Sequence, residues 1–282
     1  MTQESSIRKT CKKTYFIWAL LVFSAFSSFF LLERITAAIP ASCAQVSYSI
    51  EGEGFDSPED AALAYLEGLR DLDLNRMIST FAVESYAKNY NFEATLNRVK
   101  VYQFGLEIKL PNANEFVTAL NIESRRSRVS YMVLCHYMFL CDHEFDPVEP
   151  LPMKEETDVL NFIAQFKTSL SAPSFKTLKI LGFIPPSAFS EFYDNPRNTE
   201  NIARVAASRG ADSQKSCVAV FSLDRKEYVF CLDAISYGGK WYIAELGGNT
   251  ATLKNIVVLS MGTMPISDKV RDKVHAIITP VK

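Results

Sequence analysis

Residues 14–32, TYFIWALLVFSAFSSFFLL, run for nineteen positions without a charge. As a helix this stretch rises roughly 28 Å, close to the ~30 Å hydrocarbon core of a bilayer. Arg8, Lys9, Lys12 and Lys13 precede it, against one acid, Glu4. A basic flank of this kind stays on the cytoplasmic side. The segment therefore reads as a single-pass anchor in the cell membrane, with 1–13 in the cytoplasm and everything after 32 outside.

Two other readings of the leader stay open. A secretory signal has the same basic start and apolar run, followed by small residues at a cleavage site. Ser42-Cys43-Ala44 before Gln45 offers one, twelve residues past Leu32 with Glu33 and Arg34 between. Cleavage there gives a secreted protein. Cys43 also resembles the acceptor of a bacterial lipobox and would leave the chain lipid-anchored, although Pro40 stands where that signal carries leucine.

Beyond a linker at 33–54, enough chain remains for one large domain or two small ones. Hydrophobic residues make up 48% of the 282 and charged residues 22%, the balance of an ordinary globular protein. The net charge is −2 and the basic residues are scattered. Nucleic acid is thereby excluded as a partner, since phosphate binding needs a concentrated basic footprint. Cys135, Cys141, Cys217 and Cys231 fall in the outer part, and two disulfides have three possible connectivities.

Phe55-Asp56-Ser57-Pro58-Glu59-Asp60 is a helix start: Asp56 or Ser57 to cap, proline in the first turn, acids at the positive dipole end. Ala61, Ala62, Tyr65, Leu66 and Leu69 follow as one apolar stripe. Asp71-Leu72-Asp73 breaks it. A second helix carries Leu74, Met77, Ile78 and Phe81, and a third from about Phe92 carries Leu96, Val99 and Tyr102. The run VSYMVLCHYMFLC at 129–141 is too short to cross a membrane and reads as a buried helix. Residues 154–170 predict an amphipathic helix with Val159, Leu160, Ile163, Phe166 and Leu170 inward.

The period then changes. Residues 175–184 alternate like a strand that Pro185-Pro186 closes. A short helix at 201–208 stops at Gly210. Strands at 217–223, 227–236 and 240–246 follow, turning at Asp224-Arg225-Lys226 and at Gly238-Gly239, an antiparallel meander. The tail at 250–282 is weakly patterned.

Helices first and a meander last is an α+β order. The segments GFDSPEDAALAYLEGLRDLDLNRMISTFA (54–82) and GGKWYIAELGGN (238–249) resemble the opening helix pair and closing strand of exported bacterial envelope proteins. Those proteins carry the nuclear-transport-factor-2-like, or ketosteroid-isomerase-like, cone. The resemblance implies a helical layer on a curved antiparallel sheet over 55–249, with 112–170 as a helical insertion. It also implies dimerisation through the sheet face. It says little about activity, because one fold hosts many.

Cys135, His136, Cys141, Asp142 and His143 form the densest set of metal-ligand types, but the five-residue gap in an apolar helix is not zinc spacing. We expect no metal and no cofactor. Cys217 and Cys231 lie equidistant from Asp224, which predicts a disulfide across two neighbouring strands. In catalytic cone proteins an Asp or a His–Asp pair acts as general base beside a Tyr or Asp donor. The resemblance makes Asp233 and Glu245 the candidate acids, with Tyr242, Tyr228 and Tyr237 as donors. Alternation puts Trp241, Ile243 and Glu245 on one face of the last strand and Tyr242 and Ala244 on the other. No nucleophile elbow, phosphate loop or dinucleotide fingerprint occurs. We therefore expect no catalytic residues, and a binding or assembly module that takes a small apolar ligand or a peptide. The alternatives are an isomerase or hydrolase of a small apolar substrate, and a sensor or regulator of a neighbouring membrane machine.

Overall fold

The computed structural model describes residues 51–100, 110–141, 153–170, 174–189, 193–247 and 260–281. The chain divides into two units, Met1–Ser47 and Tyr48–Lys282, and every described residue lies in the second. The apolar run at 14–32 falls outside the described residues. Among the described residues no helix is long and apolar enough to cross a membrane.

Helix α1 (Pro58–Asp71) starts as its sequence dictates. Ser57 is the cap, its Oγ accepting from Asp60 N at 3.1 Å, and Pro58 opens the first turn. Ala61, Ala62, Tyr65, Leu66 and Leu69 are all fully buried. Each large apolar side chain so buried contributes on the order of 1.5–3 kcal/mol. Leu72 then takes a left-handed conformation and ends the helix. Three short helices follow: α2 (Leu74–Ser79), α3 (Glu84–Asn89) and α4 (Phe92–Val99). In α4 only Thr95 is buried; the expected Leu96 and Val99 are half-buried, and Tyr102 lies outside the described residues. Helix α3 has no counterpart in the sequence reading. Glu51 supports its start by accepting from Val83 N at 2.8 Å and Ser85 N at 2.9 Å.

The buried helix expected at 129–141 is the second half of a longer one, α5 (Glu115–Cys141), 27 residues. Its polar first half has no apolar run to announce it. Helix α6 (Glu156–Leu170) forms where predicted but contains no buried residue. The expectation that its apolar side faces inward is thus overturned: Val159, Leu160 and Ile163 are exposed.

Strand β1 (Lys179–Ile184) is shorter than expected, because Phe175–Thr177 is a 3-10 turn. Helices α7 (Pro186–Phe189) and α8 (Pro196–Ser208) precede β2 (Ser213–Leu223), β3 (Lys226–Tyr237) and β4 (Lys240–Leu246). Gly210, at φ +63, passes so close to Asn89 O that a side chain would not fit. The described part of the tail, 260–281, carries more regular structure than its weak pattern predicts. It forms β5 (Thr263–Pro265), α9 (Asp268–His275) and β6 (Thr279–Pro280).

Among the described residues these six strands make one antiparallel sheet, β4-β3-β2-β1-β6, with β5 also paired to β3. Strands β4 and β5 divide one edge of β3, at Leu232–Tyr237 and Tyr228–Phe230 respectively. One face of the sheet meets α1, α2 and α5 through Ala219, Phe221, Phe230, Leu232, Ala234 and Ile243. The architecture is therefore α+β, a helical layer on an antiparallel sheet. The opposite face is covered in part by the tail, where Val218, Val220, Val229 and Cys231 pack on Ile266 and Val274.

The expected Cys217–Cys231 disulfide does not form. The β2–β3 turn has two residues, Asp224 and Arg225, both at positive φ, with Leu223 opposite Lys226. Its midpoint lies between Asp224 and Arg225, half a position beyond the one the spacing implied. Cys217 consequently faces Leu232, and Cys231 faces Val218. A one-residue slip exchanges the faces of a strand, so the two sulfurs point to opposite sides of the sheet, Cys217 among the helices and Cys231 towards the tail. No disulfide links any two of the described cysteines.

Candidate functional site

The two acids singled out from the sequence do come together. Asp233 and Glu245 are cross-strand partners at the β3–β4 ladder. A bulge beside Asp233 interrupts the alternation of β4. This corrects the expected placement of Glu245 with Trp241: it lies beside Asp233, opposite the face on which Leu246 packs.

Neither acid is idle. Asp233 is buried and accepts from Ser216 Oγ at 2.7 Å and from Gln214 Nε2 at 3.1 Å. Glu245 is paired with Arg125 at 2.9 Å and approached by Arg209 at 3.8 Å. Arg125 is the pivot. It reaches from α5 to the edge of β4 and is only 2% exposed. Its Nε donates to Ala82 O at 3.0 Å, its Nη2 donates to Ala244 O, and its guanidinium stacks 4.3 Å above the Tyr86 ring. Five donors in a rigid fork suit this arrangement of two carbonyls, a carboxylate and an aromatic face. Arg209 lies 5.7 Å from the same ring and donates to Gln214 Oε1 at 3.0 Å. Tyr237 donates to Arg209 O at 2.9 Å, and burial, with Tyr86 next, holds its hydroxyl proton well above the ordinary phenol range.

Tyr242 does not join this group. It packs with Ala82, Ile235 and Ala244, and burial raises its pKa first, with Glu51 adding to the effect. Tyr228 stacks on Phe221 at 5.2 Å, inside the core. The acids, arginines and tyrosines thus form a tie that fastens α5, α8 and the β4 edge.

His136, a member of the candidate metal-ligand set, has both ring nitrogens engaged. Nδ1 lies 2.8 Å from Tyr65 Oη and Nε2 lies 2.7 Å from Thr263 Oγ1, with the ring stacked on Phe230 at 4.9 Å. A neutral imidazole has one donor and one acceptor and satisfies both hydroxyls. Burial pushes its pKa down to about 3. Cys141, at the other end of the expected ligand set, directs its sulfur towards Leu170 O at 3.7 Å, while Asp142 and His143 lie outside the described residues.

A concavity open to solvent lies elsewhere among the described residues. Leu69, Leu72, Leu74 and Met77 from α1–α2 and Val133, Leu134 and Tyr137 from α5, with Ser130, line an apolar groove of about 370 Å³. Leu72 and Leu134 stand exposed at its rim. Two sequence signals mark these features. Arg125 falls in register with Val129, Met132 and His136, a cation on an otherwise inward stripe. Leu72 sits between two aspartates at a helix break, where apolar residues are seldom covered.

No family model matches the chain, and no curated protein matches its sequence. Among solved structures, a cystatin-like protein from Ruminococcus gnavus ATCC 29149 is similar at 16% identity and a TM-score of 0.40. The match covers 74% of this chain and 44% of that one, so the chain spans less than half the length of that protein.

Proposed function

We propose that the chain is an exported, membrane-held module of the nuclear-transport-factor-2-like cone type that binds or assembles rather than catalyses. The anchor at 14–32 holds it, and the α1–α2–α5 groove receives its partner. The observation that carries this reading is how the acids are used. A general base needs a carboxylate free to take a proton from a bound substrate. Glu245 is instead shared between two arginines and Asp233 between a serine and an amide. The α1–α2–α5 groove, in contrast, is lined mainly by leucine, methionine and valine, with Tyr137 and Ser130, the chemistry of an apolar contact surface.

Two measurements test it on the full chain. Carbonate-washed membranes should retain the protein, and protease added outside should cleave the domain while sparing residues 1–13. Release by carbonate would sink the anchor. Replacing Glu245 by Gln should lower stability; a turnover of any small substrate that disappears with Glu245→Gln or Asp233→Asn, in a protein still folded, would replace the binding reading with the enzymatic one.

A further inference from the structure

The described tail crosses the sheet from one side to the other. It runs beside β3 as β5, passes over the second face as α9 and reaches the outer edge of β1 as β6. Its two halves are held differently. Up to Pro265 the chain is rooted in the core: Met261 packs with the helical layer, Gly262 O accepts from Cys231 N at 3.0 Å, and Thr263 Oγ1 lies 2.7 Å from the buried His136. Beyond that point little is covered. Of the residues of α9 only Val274 is buried, Ile278 is partly so, and Val270, Ile277 and Val281 are exposed. Strand β6 is Thr279 and Pro280, both exposed, and proline lacks the N–H that a ladder residue donates. A side chain at Gly182 would collide with Thr279 O and Ile278, so β6 fits against β1 because glycine stands there.

One residue of the sheet holds the outer half down. Glu227, at the start of β3, accepts from Ile266 N at 2.8 Å through its carbonyl. Its carboxylate lies 2.9 Å from His275 Nε2 and 3.3 Å from Arg271 Nε. Arg271 and His275 are about one turn apart on α9, so both reach the same acceptor. Partly exposed ion pairs of this kind are individually weak, and few buried side chains offset the entropy of ordering residues 267–281. The root and the outer half therefore belong to different tiers of stability.

We propose that residues 267–281 are a strap that lifts off the sheet as a unit while the rest of the domain stays folded. It turns about Ile266 and Ser267 and is latched by Glu227. Lifting takes Val274 and Ile278 away from Val218, Val220, Val229 and Cys231, and frees the β1 edge at Gly182 and Phe183. An apolar face is then presented together with an unpaired edge, the template on which another chain's strand adds. The closed strap is an autoinhibitory contact: β6 occupies the place such a strand would take. The device is independent of the α1–α2–α5 groove.

Two buried thiols read it out. Cys231 lies under the strap, and Cys217 lies on the opposite face among the helices. The full chain, solubilised in detergent, is labelled with a small maleimide. Peptide mass mapping gives the rate at each cysteine relative to its rate in the urea-unfolded chain. Cys231 should react at least about tenfold faster than Cys217, as a locally opening site does, and low urea should speed Cys217 but scarcely Cys231. Glu227→Lys sets a cation against Arg271 and His275 and should speed Cys231 about fivefold or more. Leu66→Ala weakens the core without touching the strap; it should speed Cys217 about thirtyfold or more and leave Cys231 as it was. If Cys231 and Cys217 react at one rate, with one urea dependence, in the wild type and both variants, the tail opens only with the whole domain and the proposal is overturned. An unchanged Cys231 rate in Glu227→Lys overturns the latch and with it the strap as argued.

Discussion

Helices α1 and α6 look alike in sequence and end in opposite circumstances. Each has an apolar stripe at helical spacing over about four turns. In α1 all five stripe residues are fully buried between α2, α5 and the sheet. In α6 none is buried, and Leu160 is 62% exposed. Periodicity establishes which side of a helix is apolar. It does not establish whether anything lies against that side, which depends on the sheet the rest of the chain assembles. Helix α5 stands between these extremes, with one face in the core and one outside, and Arg125 fastens its inner face to the β4 edge.

The largest expected effect sharpens the contrast at that junction. Arg125→Met removes a buried cation from two carbonyls and a carboxylate, leaving Glu245 with Arg209 alone. Breaking a buried pair in this way costs about 3–5 kcal/mol, to be read from the urea unfolding midpoint. A loss below about 1 kcal/mol, the level of an exposed ion pair, would show that α5 is not fastened by this residue. Next comes α1 itself. Leu66→Ala should cost about 2–5 kcal/mol, as truncations in a closed core do.

Much of the fold on the α1 side was legible. The cap at Ser57, the stripe through Leu69, the two glycine and aspartate turns of the meander and the bounds of β4 all follow from local chemistry that the tertiary structure does not oppose. The remainder was hidden for identifiable reasons. The disulfide failed because a hairpin's register depends on whether its turn holds two residues or three, and Asp224 and Arg225 both tolerate the positive φ that makes it two. The tail's strands have few residues and gain their stability from partners on β3 and β1 already in place. Of the site, Asp233 and Glu245 could be named but not joined to Arg125 and Arg209, which lie 120 and 36 positions from Glu245 in sequence. Nothing local marks such a tie, apart from a cation on an inward stripe.

His136 extends the comparison to pH, because it couples α1, through Tyr65, to the tail, through Thr263. Its value when folded is about 3, against 6.5 for the ordinary group, through burial. Between those limits the unfolded chain takes up a proton and the folded chain does not, so stability falls as pH falls. The slope from this residue is about 1.4 kcal/mol per pH unit below 6.5, and it vanishes above that value. Urea midpoints at pH 7.5 and 4.5 should therefore diverge for the wild type more than for His136→Gln, which keeps a donor and an acceptor but does not titrate. Equal divergence would mean that His136 is protonated, or exposed, in the folded state.

The smallest expected effect is the one that most directly breaks the analogy between the two helices. In α6, Leu160→Ser and Ile163→Ser remove apolar side chains that touch little of the described structure, and each should change stability by no more than about 0.5 kcal/mol. Helix propensity sets even that, since serine is only slightly poorer than leucine or isoleucine in a helix. The contrast with Leu66→Ala is then several-fold for the loss of comparable apolar groups from helices of comparable pattern. A cost above about 2 kcal/mol for either serine variant would mean that the apolar side of α6 is covered in the intact protein. The sequence expectation of an inward face would then be restored, and the covering element would have to come from outside the described residues or from another chain. A near-zero cost leaves α6 as an apolar surface maintained without any return in stability, which places its reason for being in contact with something else.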